Sequence, residues 1–219
     1  MERLLYHIVD FAKKTVYRRE HQLAVRLHAV AEFAQGRVLE VGATEYPNEY
    51  LPPGTTMLDI TEPMTSLPQN YSDFVRGTAT ELSKIFGLEI FDSIVASEVI
   101  EHIPDYCSFL SEAFLCLKPG GRHVLTSPNP FHIFTIVGNL FYPSGLSKNC
   151  AWKGLESVQG PYFGHIHLHI PRIVNVVATI IGFEIEEIRY IFGFGRLFSG
   201  TILYVYIKRG KSFSNSNGS

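Results

Sequence analysis

Asp59 closes the apolar run Thr55–Ile60 (TTMLDI) and stands 17 residues beyond Gly42. An acidic side chain at the end of the second strand of an α/β sheet can accept hydrogen bonds from both hydroxyls of a ribose. Gly42 itself follows the apolar run Arg37–Val41 (RVLEV) and opens the turn Gly-Ala-Thr-Glu-Tyr-Pro. A glycine at that point lets the backbone approach a ligand closely. The pair fits an adenosine-containing ligand, and the turn narrows the choice. A dinucleotide pyrophosphate needs a glycine-rich turn whose N–H groups cradle it. Here G-x-G-x-x-G is absent, and Glu45 would repel a diphosphate. A phosphate-free adenosyl donor carrying a sulfonium cation, S-adenosylmethionine, suits an acidic, glycine-poor turn better than NAD does.

A second cluster reads Glu98-x-x-Glu101-His102. If Glu98 begins a helix, Glu98 and His102 share one face. Further on, His165, His167 and His169 alternate with other residues, and an extended backbone would send all three to one side. Mixed carboxylates and imidazoles suit Mn²⁺, Fe²⁺ or Zn²⁺. The plainer alternative is favoured: a carboxylate in a first helical turn answers the helix dipole, and no metal is expected. A histidine beside a donor can instead serve as general base for a hydroxyl acceptor; His102 and His167 are the candidates. Ser127-Pro128-Asn129-Pro130 leaves a strand at its ligand end. Asn129, which can both donate and accept, is expected to face substrate, as are His165 and His169.

These residues need a frame to hold them. Strand-like runs at 37–41, 55–60, 91–97, 122–127, 183–190 and 201–208, with a weaker one near 74–78, alternate with helical runs at 107–117 and 171–181. Such alternation predicts a Rossmann-like α/β fold: a mostly parallel seven-stranded sheet, helices on both faces and an antiparallel last strand. Lys118–Gly121 reads as a turn. Residues 1–211 form one expected domain, with a helical N-terminal segment (1–35), an insertion or lid (128–169) and a disordered tail (212–219). At 219 residues a second domain would be cramped.

Composition removes several classes. Net charge is −2, with 19 Lys+Arg against 21 Asp+Glu, so no global basic excess recruits nucleic acid. Cys107, Cys116 and Cys150 form no C-x-x-C pair, which argues against a zinc site or a disulfide framework and for reduced thiols in the cytoplasm. No apolar run is long enough to span a bilayer. The 131–142 stretch, rich in Phe, Ile and Leu, is too short to cross but leaves peripheral membrane contact open.

Together GRVLEVG, MLDI, FDSIVASEVIEHIPD and FLSEAFLCLKPGGRHVLTSPNP resemble the class I S-adenosylmethionine-dependent methyltransferases, and among them the broad type 11/12/23 small-molecule and glycan-modifying group. The likeness runs from about Gly36 to Phe183. It implies that Glu40, Gly42 and Ala43 face the methionine moiety, with Thr44 completing that wall. Asp59 would hold the ribose and Ile60 would lie beside the adenine. Thr78, Ala79 and Thr80 occupy the adenine-contact segment, and Ser97 and Glu98 lie next to the cofactor. Two positions depart from the family pattern: Thr44 replaces its second glycine, and Thr78 stands where an acid is common.

The resulting expectation is methyl transfer to a small-molecule, sugar or lipid acceptor, at oxygen. One rival is a metal-dependent RNA ribose 2′-O-methyltransferase, because such enzymes carry a similar E-x-x-E-H with a distant histidine. The other is a methyltransferase-fold subunit that binds without catalysis.

Overall fold

The computed structural model describes residues 19–63, 66–133, 135–136, 169–193 and 195–209. Seven strands form one sheet: β1 (Val38–Val41), β2 (Thr55–Asp59), β3 (Tyr71–Arg76), β4 (Phe91–Ser97), β5 (Leu117–Pro128), β6 (Phe183–Ile191) and β7 (Thr201–Lys208). Their order across the sheet is β3-β2-β1-β4-β5-β7-β6. β7 pairs antiparallel with both β5 and β6, while the pairings from β3 to β5 are parallel. Order reverses at β1, where β2 goes to one side and β4 to the other, and such a switch point opens a crevice beyond the carboxyl ends of the strands.

The helices are α1 (Arg19–Ala31), α2 (Leu82–Phe86), α3 (Tyr106–Cys116), α4 (Pro171–Ile181) and the short α5 (Gly195–Phe198). α1 covers one face of the sheet, placing Ala29 and Val30 with Val95, Val124 and Leu203. α3 and α4 cover the other. In α3, Phe109, Leu110, Ala113 and Cys116 are buried, one stripe at helical spacing, and Asp105 caps its start by accepting from the Ser108 N–H at 3.0 Å. α4 begins with Pro171 at its first turn, where the missing N–H costs nothing, and stops at Gly182.

β1 and β4 lie inside the sheet with helices on either side, and they read as near-continuous apolar runs. β3 is an edge strand with only Tyr71 buried, which is why its pattern is faint; it spans 71–76 rather than 74–78. Lys118–Gly121 does bend, but as an excursion within β5. Phe91 pairs with Leu117, and the next pairing is Ser93 with Arg122. Gly120 supplies a φ of +83° to close it.

His123, on β5, is fully buried against the Phe109 ring and the Phe183 ring, with Nδ1 3.0 Å from the Ile94 carbonyl. Burial holds its pKa down at about 4, so it is a neutral core residue. The 212–219 tail lies outside the described residues, as do most of the 128–169 insertion and the first half of the 1–35 segment. Among the described residues no helix is long and apolar enough to cross a membrane.

Candidate cofactor site

A cavity of about 720 Å³ opens at the carboxyl ends of β1, β2 and β4. Its wall includes Glu40, Gly42, Ala43, Thr44, Asp59, Ile60, Thr78, Ala79, Thr80, Ser97 and Glu98, and also His102. Eleven residues drawn from four separate stretches of sequence therefore meet at one place.

Glu40, on β1, is only 1% exposed. The Tyr71 hydroxyl donates a short hydrogen bond to Oε2, and the Asn48 N–H donates to the same oxygen at 3.4 Å. Oε1 has no protein partner. Burial pushes the carboxyl up to about 7, against the lowering effect of those two donors. Gly42 adopts φ +73°. A Cβ there would stand 2.7 Å from Val99 Cγ2, so Val99 and the backbone conformation both call for the glycine, which lines the cavity as expected from the sequence.

Asp59, 9% exposed, is gripped on both oxygens. Oδ2 accepts from the Thr44 N–H at 3.2 Å and the Thr44 hydroxyl at 2.8 Å. Oδ1 accepts from the Thr61 N–H and the Thr61 hydroxyl, both at 3.0 Å. Farther along the wall, the Thr78 hydroxyl caps the short 3₁₀ turn Ala79–Glu81 by accepting from the Thr80 N–H at 3.4 Å. The position where an acid is common thus serves the local backbone.

Glu98 sits just past β4 with φ +56°, left-handed for a non-glycine residue. Its N–H donates to the Thr126 carbonyl at 3.2 Å and the Thr126 hydroxyl at 3.0 Å. One carboxylate oxygen lies 4.0 Å from Arg26 Nη1, and Oε1 is buried without a protein partner. Burial raises its pKa and the Arg26 charge opposes that rise. The expectation that Glu98 and His102 share a helical face needs correction. The turn that follows is a single 3₁₀ unit, Ile100–His102, and Glu98 lies outside it. Glu101 is turned inward and fully buried; burial first, and the Glu98 charge second, raise its pKa well above the usual carboxylate range. Among the described residues no group of three or more His, Cys, Asp or Glu converges as a metal site.

Two expected substrate residues do not line this cavity. Asn129 is buried and does not line the cavity. Its Nδ2 donates to the Arg196 carbonyl at 2.7 Å and the Ser199 carbonyl at 2.6 Å, and its Oδ1 accepts from the Phe131 N–H at 3.0 Å. It pins the segment before β7. His169 is also buried, with Nε2 3.2 Å from the Ile100 carbonyl and its ring edge-on to Tyr106. His165 and His167 lie outside the described residues.

Other residues of the site escaped the sequence reading: Arg26, Tyr71, Asn48 and Thr61. Arg26 had a signal, a charge set into the apolar run Leu23-Ala24-Val25-Arg26-Leu27. Asn48 had none. It is fully buried, and its Nδ2 donates to the Leu27 carbonyl at 2.8 Å, tying α1 to the loop after β1.

Asp59, the buried and unpartnered Oε1 of Glu40 and the buried Ser97 hydroxyl, which has no protein partner, place acceptors and polar groups around a largely apolar cavity. This fits an adenosyl sulfonium: acceptors for a ribose and an ammonium, and Glu45 on the wall where a phosphate would be repelled.

Known proteins agree with this geometry. Residues 16–188 match the model of a family described as methyltransferase domain. A methyltransferase structure from Archaeoglobus fulgidus, S-adenosylmethionine dependent by its description, superposes with a TM-score of 0.61 at 17% identity, covering 93% of this chain and 100% of that one. The N-methyltransferase NodS from Bradyrhizobium japonicum, solved with S-adenosylhomocysteine, gives a TM-score of 0.55 at 17% identity over 87% of this chain and 88% of its own. The mitochondrial ubiquinone biosynthesis O-methyltransferase of Rattus norvegicus is 38% identical over 53 residues, only 24% of this chain and 15% of that protein. With a family match spanning most of its length and the sheet order to go with it, the chain belongs to the methyltransferase-domain family.

Proposed function

We propose that the chain transfers the methyl group of S-adenosylmethionine to an oxygen of a small-molecule, sugar or lipid acceptor. The observation that carries this reading is the cavity at the sheet's switch point, with Asp59 at the end of β2 and the unpartnered Glu40 oxygen near the end of β1. Glu40 would receive the methionine ammonium and Asp59 the ribose hydroxyls. Ile60 and the 78–80 turn would border the adenine. The sulfonium brings its own leaving group, so the chain has no covalent intermediate to form. Its residues orient the acceptor toward the methyl and keep water out.

His102 is on the same wall and is our candidate for the group that takes the acceptor's proton. His167 remains a second candidate, and His165 a candidate for acceptor binding. An oxygen acceptor is supported by the local match to an enzyme named as an O-methyltransferase. The metal-dependent RNA reading is weaker, because the net charge is −2 and gives no basic excess for RNA. The non-catalytic reading is weakened by a cavity at the switch point that is lined by Asp59 and by His102, a candidate base.

Calorimetric titration of S-adenosylhomocysteine into wild type and Asp59→Ala tests the reading. Loss of charge-assisted bonds to two hydroxyls should weaken binding by roughly 10- to 100-fold or more. Equal affinity for both proteins would remove Asp59 from the ribose site.

A further inference from the structure

The Asp59 carboxylate already carries four donors. Two are backbone N–H groups, of Thr44 and Thr61, fixed by the chain. Two are the hydroxyls of the same residues. The hydroxyls reach separate carboxylate oxygens and lie 3.0 Å from each other. A pair of adjacent O–H donors, one on each oxygen, is also what the cis-diol of a ribose presents to an aspartate.

A carboxylate offers about four lone-pair positions, all of which are in use here. A ribose therefore cannot simply add to Asp59; something must leave. The N–H groups cannot leave without refolding the turns after β1 and β2. The hydroxyls can, by a χ1 rotation. They are also the less well satisfied partners. Each hydroxyl has one hydrogen, yet three oxygen–oxygen contacts link the two hydroxyls and the carboxylate: 2.8 Å to Oδ2, 3.0 Å to Oδ1 and 3.0 Å between the hydroxyls. Two hydrogens cannot serve three contacts.

We propose that Thr44 and Thr61 are positioning residues that stand in for the sugar diol: their hydroxyls hold Asp59 until a nucleoside arrives and are then exchanged for the ribose hydroxyls. This rests on the ribose role given to Asp59 above, and adds a residue-level control of affinity to it. Thr44, which takes the place of a glycine, brings the competing hydroxyl along with the N–H a glycine would also supply. The two backbone donors keep the carboxylate aimed throughout the exchange, so the cost of binding is confined to two side-chain rotations. Occupancy of Asp59 by its own threonines thereby lowers the affinity for every ligand bearing that diol, product as well as donor.

Calorimetry with wild type, Thr44→Val, Thr61→Val and Thr44→Ser tests this, with S-adenosylhomocysteine, adenosine and 2′,3′-dideoxyadenosine as ligands. Valine keeps the branched shape and removes the competitor. Each valine variant should bind S-adenosylhomocysteine and adenosine roughly 2- to 10-fold more tightly, the range of one net hydrogen bond. Thr44→Ser, which restores the hydroxyl, should return to the wild-type affinity. The dideoxy ligand makes no exchange, so its affinity should not follow the valine series; a change in packing alone would move all three ligands together. Weaker or unchanged binding of the diol ligands in both valine variants overturns the proposal while leaving Asp59 at the ribose, provided Asp59→Ala still weakens binding. Failure of wild type and all variants to bind any adenosine ligand overturns both.

Discussion

Glu40→Gln converts the buried carboxyl at the end of β1 into a neutral group of the same shape. Glu40 is 1% exposed, and burial raises its pKa from 4.5 to about 7. An acid whose folded pKa is raised is held in its protonated form by the fold. Its contribution to stability is complete below about pH 4.5 and is lost as pH rises through about 7. The interval between the two values is equivalent to about 3 kcal/mol. Glutamine keeps an oxygen for the Tyr71 hydroxyl and never ionises, so the variant lacks this loss. The free energy of unfolding in urea, measured for both proteins between pH 4.5 and pH 8.5, should give a difference (variant minus wild type) that grows by about 3 kcal/mol across the series. Background titrations common to both proteins cancel in that difference. A difference that stays flat with pH would refute the argument that burial dominates at Glu40. If the same carboxylate receives the methionine ammonium, the variant should also bind S-adenosylhomocysteine less tightly, despite being more stable at alkaline pH.

His123 should behave with the opposite sign. Its pKa is depressed from 6.5 to about 4, so the stability it contributes is present above about pH 6.5 and lost as pH falls through about 4. His123→Phe should flatten that acid limb in equilibrium unfolding, at a cost near neutral pH of about 0.5–1.5 kcal/mol for the lost hydrogen bond to the Ile94 carbonyl. An unchanged acid transition would show that the imidazole is not held neutral. Asn129→Ala should lower stability by about 2–3 kcal/mol, because the Arg196 and Ser199 carbonyls lose their donor. Affinity for S-adenosylhomocysteine should be kept; weakened binding in a folded variant would couple Asn129 to the cofactor cavity.

The strands that could be read best were those with the most uniform surroundings. β1 and β4 are flanked by strands on both edges and helices on both faces, so burial leaves little in them but apolar residues. β3 was blurred because one edge and much of its surface meet water. The cavity wall was legible because strand ends and the turns that follow them are local features. Gly42, Asp59, Thr78 and Ser97 each mark the exit of a strand, and sheet topology brings the exits together. What stayed hidden depends on contacts between distant parts of the chain. The Tyr71 hydroxyl reaches Glu40 across 31 positions, and the Asn129 amide reaches Ser199 across 70. The Glu98 cluster misled for a different reason. Its spacing is compatible with a helix, but the φ of +56° at Glu98 breaks the register before the turn begins.

A crystal structure of the protein with S-adenosylhomocysteine tests the central claim most directly. The account predicts the ribose O2′ and O3′ within hydrogen-bonding distance of the Asp59 carboxylate, the Thr44 and Thr61 hydroxyls turned away, and the amino group next to Glu40 Oε1. A ligand bound outside the cavity, or one whose ribose contacts other side chains while Asp59 keeps all four of its donors, would contradict it.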